Sequence, residues 1–142
     1  MAAQDNIALT RRVFDAFNRN DFESALSEAT DDVRIELIAF GQTFQGKEGF
    51  RQFMQGFRTA FPDIAIAIVN QVANDEQVVS EFTWRGTHTG PLPSPAGDIP
   101  PTNRTVEVAR ACEVWEVKGG KLAVLRNYQD AASFLRQLGL VS

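Results

Sequence analysis

Apolar residues in the first third of the chain recur at helical spacing. Between Asp5 and Asn18, Ile7, Thr10, Phe14 and Phe17 stack on one face beside Leu9 and Val13, which predicts an amphipathic helix. Asn20 followed by Glu23 has the spacing of a capping box, opening a short second helix from Asp21 to Ala29. Val33 to Ile38 reads as a strand and Gly41 to Gly46 as a turn. Lys47 to Ala60 carries the clearest helical stripe, with Phe50, Phe53, Met54, Phe57 and Phe61 on one face and Pro62 as its stop.

After Pro62 the period changes from helical to alternating. Ile64, Ile66 and Ile68 alternate with other residues, Asn74-Asp75 marks a turn, and Val78 to Arg85 places Val78, Phe82 and Trp84 on one face. Thr105 to Val117 is a long strand, joined by the hairpin turn Lys118-Gly119-Gly120-Lys121 to a strand from Leu122 to Gln129. Asp130 then caps a last helix that stops at Leu138-Gly139. Pro91 to Asn103 holds five of the six prolines and is too long for a tight turn, so it reads as a stiff rim or lid. Helices first and strands later predict an α+β domain over residues 1–142: a cone in which a curved antiparallel sheet is covered by the N-terminal helices.

Composition narrows the function classes. The chain is 44% hydrophobic and 23% charged, an ordinary globular balance, with a net charge of −4 and scattered Lys and Arg that disfavour nucleic acid. No apolar run approaches the roughly 20 residues that span a bilayer, and the N-terminus lacks the order of a signal peptide, so a cytoplasmic location is expected. Cys112 is the only cysteine and His88 the only histidine, which leaves no multi-cysteine or histidine-rich metal site. A phosphate loop, a dinucleotide fingerprint and a Gly-x-Ser-x-Gly elbow are all absent. The expected chemistry is therefore acid–base work without metal or cofactor, in an apolar cavity that shifts pKa values.

Several segments resemble the SnoaL-like polyketide cyclases, within the nuclear-transport-factor-2-like superfamily. They are Arg11 to Asn18, Gly46 to Phe50, Gly86-Thr87-His88-Thr89-Gly90, Ile99 to Arg104, Gly119 to Leu122, and Asp130 with Leu135 to Gly139. The resemblance implies an open cone with the meander sheet as one wall and three N-terminal helices over the other. It also implies intramolecular aldol ring closure on an aromatic polyketide ester, without metal or cofactor, by one acidic residue on the last strand. That aspartate falls on Asn127 here. The family's helping histidine falls on Glu113, its glutamine on Ala111, and its asparagine near Ile35. The limonene epoxide hydrolases share the fold but need an Arg-x-Asp pair, where Arg110-Ala111-Cys112 stands instead.

An amide at Asn127 polarises a carbonyl but does not exchange protons near neutrality. Glu113 is the acid that replaces it if the hairpin carries a one-residue bulge, because the two then face each other. In that register Ala109, Ala111, Glu113, Leu125, Asn127 and Gln129 share the cavity face; without the bulge, Asn127 lies beside Cys112. The alternative for Glu113 is a solvent-facing glutamate paired with Arg110 or Arg126. Asp130 is a further catalytic candidate whose simpler role is the helix cap, and His88 is either a carbonyl-orienting group at the mouth or a half-exposed turn residue. Tyr128 alternates to the other side.

An enclosed pocket able to hold a bicyclic ligand is expected, walled by Phe14, Phe17, Phe53 and Phe57 with Trp84 opposite and Gln129 as a polar contact. Two functions remain open: an enzyme acting on a bulky hydrophobic small molecule, or a binding protein that kept the pocket and lost the acid. The opposite parity set, Val106, Val108, Cys112, Val114, Val124 and Tyr128, is too apolar for a solvated face and predicts a homodimer through the sheet, with Arg110 and Arg126 at its rim.

Overall fold

In the computed structural model, which describes residues 2–141, helices form where the apolar stripes predict them. Helix α1, Ala2–Asn18, buries Leu9, Thr10, Val13, Phe14 and Phe17 along one side. The short α2, Phe22–Ser27, is capped by Asp21, whose side chain accepts the Ser24 N–H. The sequence pointed to Asn20 for that role. Asn20 instead takes a left-handed turn at φ 60°, which asparagine tolerates, and moves the cap one residue on. Helix α3, Gly46–Ala60, buries Phe50, Phe53 and Met54, and α4, Ala131–Gln137, starts where Asp130 accepts the Ser133 N–H.

Among the described residues, six strands form one sheet. They are β1 Ala29–Leu37, β2 Gln42–Gln45, β3 Ala65–Ala73, β4 Gln77–Thr87, β5 Thr105–Lys118 and β6 Lys121–Tyr128, ordered β2-β1-β6-β5-β4-β3. Two expectations change here. The segment predicted as a turn, Gly41 to Gly46, contains β2, which pairs antiparallel with β1 and extends the sheet by one edge strand. The sheet is also not wholly antiparallel, because β1 runs parallel to β6. These strands lie far apart in sequence, and the intervening α3 and meander supply the long crossover that a parallel pair needs.

Bulges set which side chains face inward. In the β5–β6 hairpin, Val117 pairs with Leu122 and Glu116 with Val124, so Ala123 is the extra residue. The bulged register therefore holds, and Glu113 pairs with Asn127. A second bulge lies in β5, where Phe82 of β4 faces Ala111 but Trp84 faces Val108. It reverses the alternation. Ala109, expected in the cavity, is exposed, whereas Val106 is fully buried and Val108 packs on the core rather than on the outer face. Each bulge also bends its strand, which curves the sheet around α1 and α3.

The core fills that concavity with aromatic rings. Phe14 stacks on Trp115 with centroids 5.9 Å apart and tilts against Phe82 at 5.4 Å. Arg58 fastens the ends of α1 and α3, donating from Nη2 to the Phe17 carbonyl at 2.5 Å and from Nη1 to the Pro62 carbonyl at 3.1 Å. Among the described residues, no helix is long and apolar enough to cross a membrane.

Candidate active site

Inside the cone, one chamber carries nearly all the expected lining. Phe14 and Phe17 come from α1, Phe53 and Phe57 from α3, and Trp84 from β4, with Glu113, Asn127 and Gln129 as the polar groups. Its volume is about 60 Å³. That is room for a few waters, less than the ~150 Å³ cavity that holds a benzene ring, and too little for the bicyclic ligand expected from the sequence. The abundance of phenylalanine is the reason. Rings from both helices interdigitate with Trp84 and Trp115 and close most of the space that the curved sheet creates.

The polar groups form one directed chain. The Trp84 indole N–H donates to Gln129 Oε1 at 3.0 Å, Gln129 Nε2 donates to Asn127 Oδ1 at 2.9 Å, and Asn127 Nδ2 donates to Glu113 Oε2 at 2.8 Å. From the other side, the Trp115 indole N–H donates to Glu113 Oε1 at 2.9 Å. An indole nitrogen can only donate, so Trp84 fixes which way the Gln129 amide points. Gln129 then fixes Asn127, and the donors run in one direction along the chain, which ends on the carboxyl group. Each Glu113 oxygen keeps a second lone pair, and both amides keep a second N–H.

Glu113 is only 6% exposed. Burial pushes its carboxyl above the ordinary glutamate value, against the opposing pull of the Trp115 and Asn127 donors. Among the described residues, the chamber lining contains no lysine or arginine that would hold the charge in place.

The other predicted groups lie elsewhere. Asp130 is exposed and occupied as the α4 cap. His88 is not half-exposed at a mouth but fully buried, outside the chamber lining, with its ring 5.4 Å from Phe61. Its Nδ1 accepts the Thr102 N–H at 3.1 Å, which puts the ring proton on Nε2 and ties the proline-rich segment to the end of β4. Burial lowers its pKa, so it is neutral at pH 7. Tyr128 points outward, as alternation predicted. Trp115 was missed, although it stands two residues after Glu113 and so shares its face of β5.

Trp84→Phe tests the directed chain. Removing the N–H leaves the half-buried Gln129 oxygen without its donor, which is expected to lower urea-unfolding stability by about 1 kcal/mol. An unchanged midpoint would mean that the indole only packs.

Comparison with known proteins agrees with this geometry. The sequence profile of the SnoaL-like polyketide cyclases matches residues 7–138. The chain belongs to the SnoaL-like polyketide cyclase family. A structure described as a SnoaL-like polyketide cyclase from Jannaschia sp. CCS1 superimposes with a TM-score of 0.86 at 17% identity, covering 99% of this chain and 95% of that one. A structure described as a polyketide cyclase from Xanthomonas campestris pv. campestris gives 0.79 at 21% identity, covering 97% and 99%. TerC, co-crystallised with polyporic acid, gives 0.75 at 20% identity, covering 95% and 98%. No curated protein matches the chain. Within the family scaffold, this chain places an amide on the last strand at Asn127 and a carboxylate opposite it on β5 at Glu113.

Proposed function

We propose that this SnoaL-like protein is an acid–base enzyme acting on a hydrophobic carbonyl compound, with Glu113 as the proton carrier and neither metal nor cofactor. The observation that carries the reading is a carboxyl group buried among aromatic rings and held only by neutral donors. Such a group costs several kcal/mol to keep, and its raised pKa suits proton transfer near neutrality. In this reading Glu113, ionised, takes a proton from the carbon beside a carbonyl, breaking C–H and forming O–H. The free N–H groups of Asn127 and Gln129 donate to the enolate oxygen, and conjugation in the substrate spreads the charge. For an aldol closure, the enolate carbon forms the new C–C bond and Glu113 returns its proton to the resulting alkoxide. The polyporic acid of TerC supports an aromatic, oxygen-bearing ligand for this pocket.

The test uses 2-tetralone, a bicyclic ketone with acidic benzylic hydrogens, in D₂O with NMR detection. The chamber at rest is smaller than this ketone, so the rings that line it must shift to admit it. The protein is expected to accelerate deuterium uptake at that carbon above the buffer rate. A rate equal to buffer, with tetralone shown to bind by quenching of tryptophan emission, sinks the reading.

The same proposal includes a homodimer through the outer sheet face. Without Val106 and Val108, that face still carries the half-buried Cys112, Val114 and Val124 and the exposed Tyr128, with the Arg126–Glu116 ion pair among them. Sedimentation at micromolar concentration is expected to show twice the 15.7 kDa chain mass, and a monomer would remove the dimer.

A further inference from the structure

Behind the Phe53 and Phe57 rings lies a second chamber that the reaction above does not use. It is larger than the first, about 120 Å³, and both rings line both chambers. The two rings meet edge to face at 5.5 Å, so they form a partition between the spaces. Gly56 of α3 lines the outer chamber, Phe40 and Phe134 stand at its sides, and Leu92, Pro93 and Ile99 of the proline-rich segment lie against it.

That segment is anchored. Leu92 and Ile99 exchange two backbone hydrogen bonds of 3.0 and 2.8 Å, and His88 holds Thr102 behind them. Among the described residues, the outer lining includes no charged side chain. Its polar members are Gln42, Gln52 and Ser94, and the Ser94 hydroxyl is already donated to the Gly97 carbonyl. Among the described residues, neither glutamine side chain has a hydrogen-bond partner, so two amides remain for a ligand.

We propose that the two chambers are halves of one elongated site, joined when Phe53 and Phe57 rotate aside. The occupant is an uncharged, planar molecule of at least two rings. Its reacting carbonyl lies at Glu113 and its far end in the outer chamber, where a hydroxyl or carbonyl oxygen meets Gln42 or Gln52. Three observations meet here. The inner chamber is too small for such a molecule alone, the partition is made of two side chains rather than backbone, and the outer chamber has no charge to pair with an ionised ligand. Only the assignment of the reacting end rests on the catalytic reading.

N-phenyl-1-naphthylamine, neutral and aromatic at both ends, serves as the probe. Trp84 and Trp115 are the only tryptophans and both line the inner chamber, so energy transfer from them reports a probe that reaches it. Gly56→Leu fills the outer chamber from α3. A Cβ there would meet Pro93 at 3.8 Å, ordinary contact, so the root of the new side chain fits.

Wild-type protein is expected to bind the probe saturably with loss of tryptophan emission, and Gly56→Leu to weaken binding by about tenfold or more. Phe57→Ala, which removes part of the partition, is expected to bind at least as fast as wild type. Unchanged affinity in Gly56→Leu, slower binding in Phe57→Ala, or probe emission without tryptophan quenching would each overturn the joined site. Tetralone exchange by the wild-type protein is read independently of the probe. Exchange alongside unchanged Gly56→Leu affinity would fail the joined site alone, and probe binding as expected without exchange would fail the catalytic reading alone.

Discussion

Glu113→Gln is expected to slow tetralone exchange by about 10²–10⁴-fold, the usual contribution of one positioned acid–base group. The variant keeps the size of the side chain and replaces the exchangeable carboxyl by an amide that does not titrate near neutrality. In the wild type the rate should rise with pH as Glu113 ionises, through a pKa above the ordinary value of 4.5. Stability should move the opposite way. The folded pKa is raised, so between 4.5 and that pKa the folded state binds more protons than the unfolded chain. Stability therefore falls as pH rises through this window, by up to about 1.4 kcal/mol per pH unit from this one group. Glu113→Gln has nothing to titrate, so this part of the slope should vanish. Glutamine is also an imperfect partner, because the Trp115 and Asn127 donors both converge on the group and its NH₂ would face one of them. At low pH the variant is expected to be about 1–3 kcal/mol less stable than wild type, with the gap narrowing as pH rises. Urea unfolding across the pH range reads both effects. Exchange that survives intact, or an unchanged slope, would remove Glu113 from the proposed role.

Gly90→Ala is expected to destabilise the fold by about 3 kcal/mol, at the upper end for overpacking. A Cβ at this position would lie 1.9 Å from the Thr59 carbonyl oxygen, a backbone atom that cannot swing away. Thr89 and Gly90 both donate their N–H groups to the Ala60 carbonyl, so this is where the proline-rich segment docks on the end of α3. Pushing them apart loosens the segment that lines the outer chamber as well as the helix end. Thermal unfolding should show a midpoint lower by roughly 10 °C. A loss below about 0.5 kcal/mol would mean that segment and helix separate freely, and the outer chamber would then have no fixed wall.

Much of this architecture was legible in the chain itself. The stripe from Phe50 to Phe61 and the alternation of Val78, Phe82 and Trp84 depend only on local periodicity, and the elements formed where those periods lie. Phe14, Phe17, Phe53, Phe57 and Trp84 were assigned to the pocket from the same pattern, and Gln129 from a bulged hairpin register; all six line it. Residues with two competing roles were harder. Asp130 reads as acid or cap from sequence, and the geometry has it capping α4. His88 sits in a polar, glycine-flanked stretch that reads as an exposed turn, yet Phe61 and the returning proline-rich segment cover it.

What sequence alone determined, then, was the class of fold, its family and the identity of the groups available for chemistry. The fold class and the available groups follow from short-range spacing or from residue types that are present or missing, and the family from the resemblance of several segments in order. Only tertiary structure decided which of those groups meet. An extra residue at Ala123 brings Glu113 opposite Asn127, and another in β5 turns Ala109 outward and Val106 inward. A bulge shifts side-chain parity by one, and its position depends on how neighbouring strands pair across the sheet, so no period within a single strand reveals it. The size of the chamber was likewise decided by packing. Composition counts the rings, but how far they close a cavity depends on how α1 and α3 lie across the curved sheet.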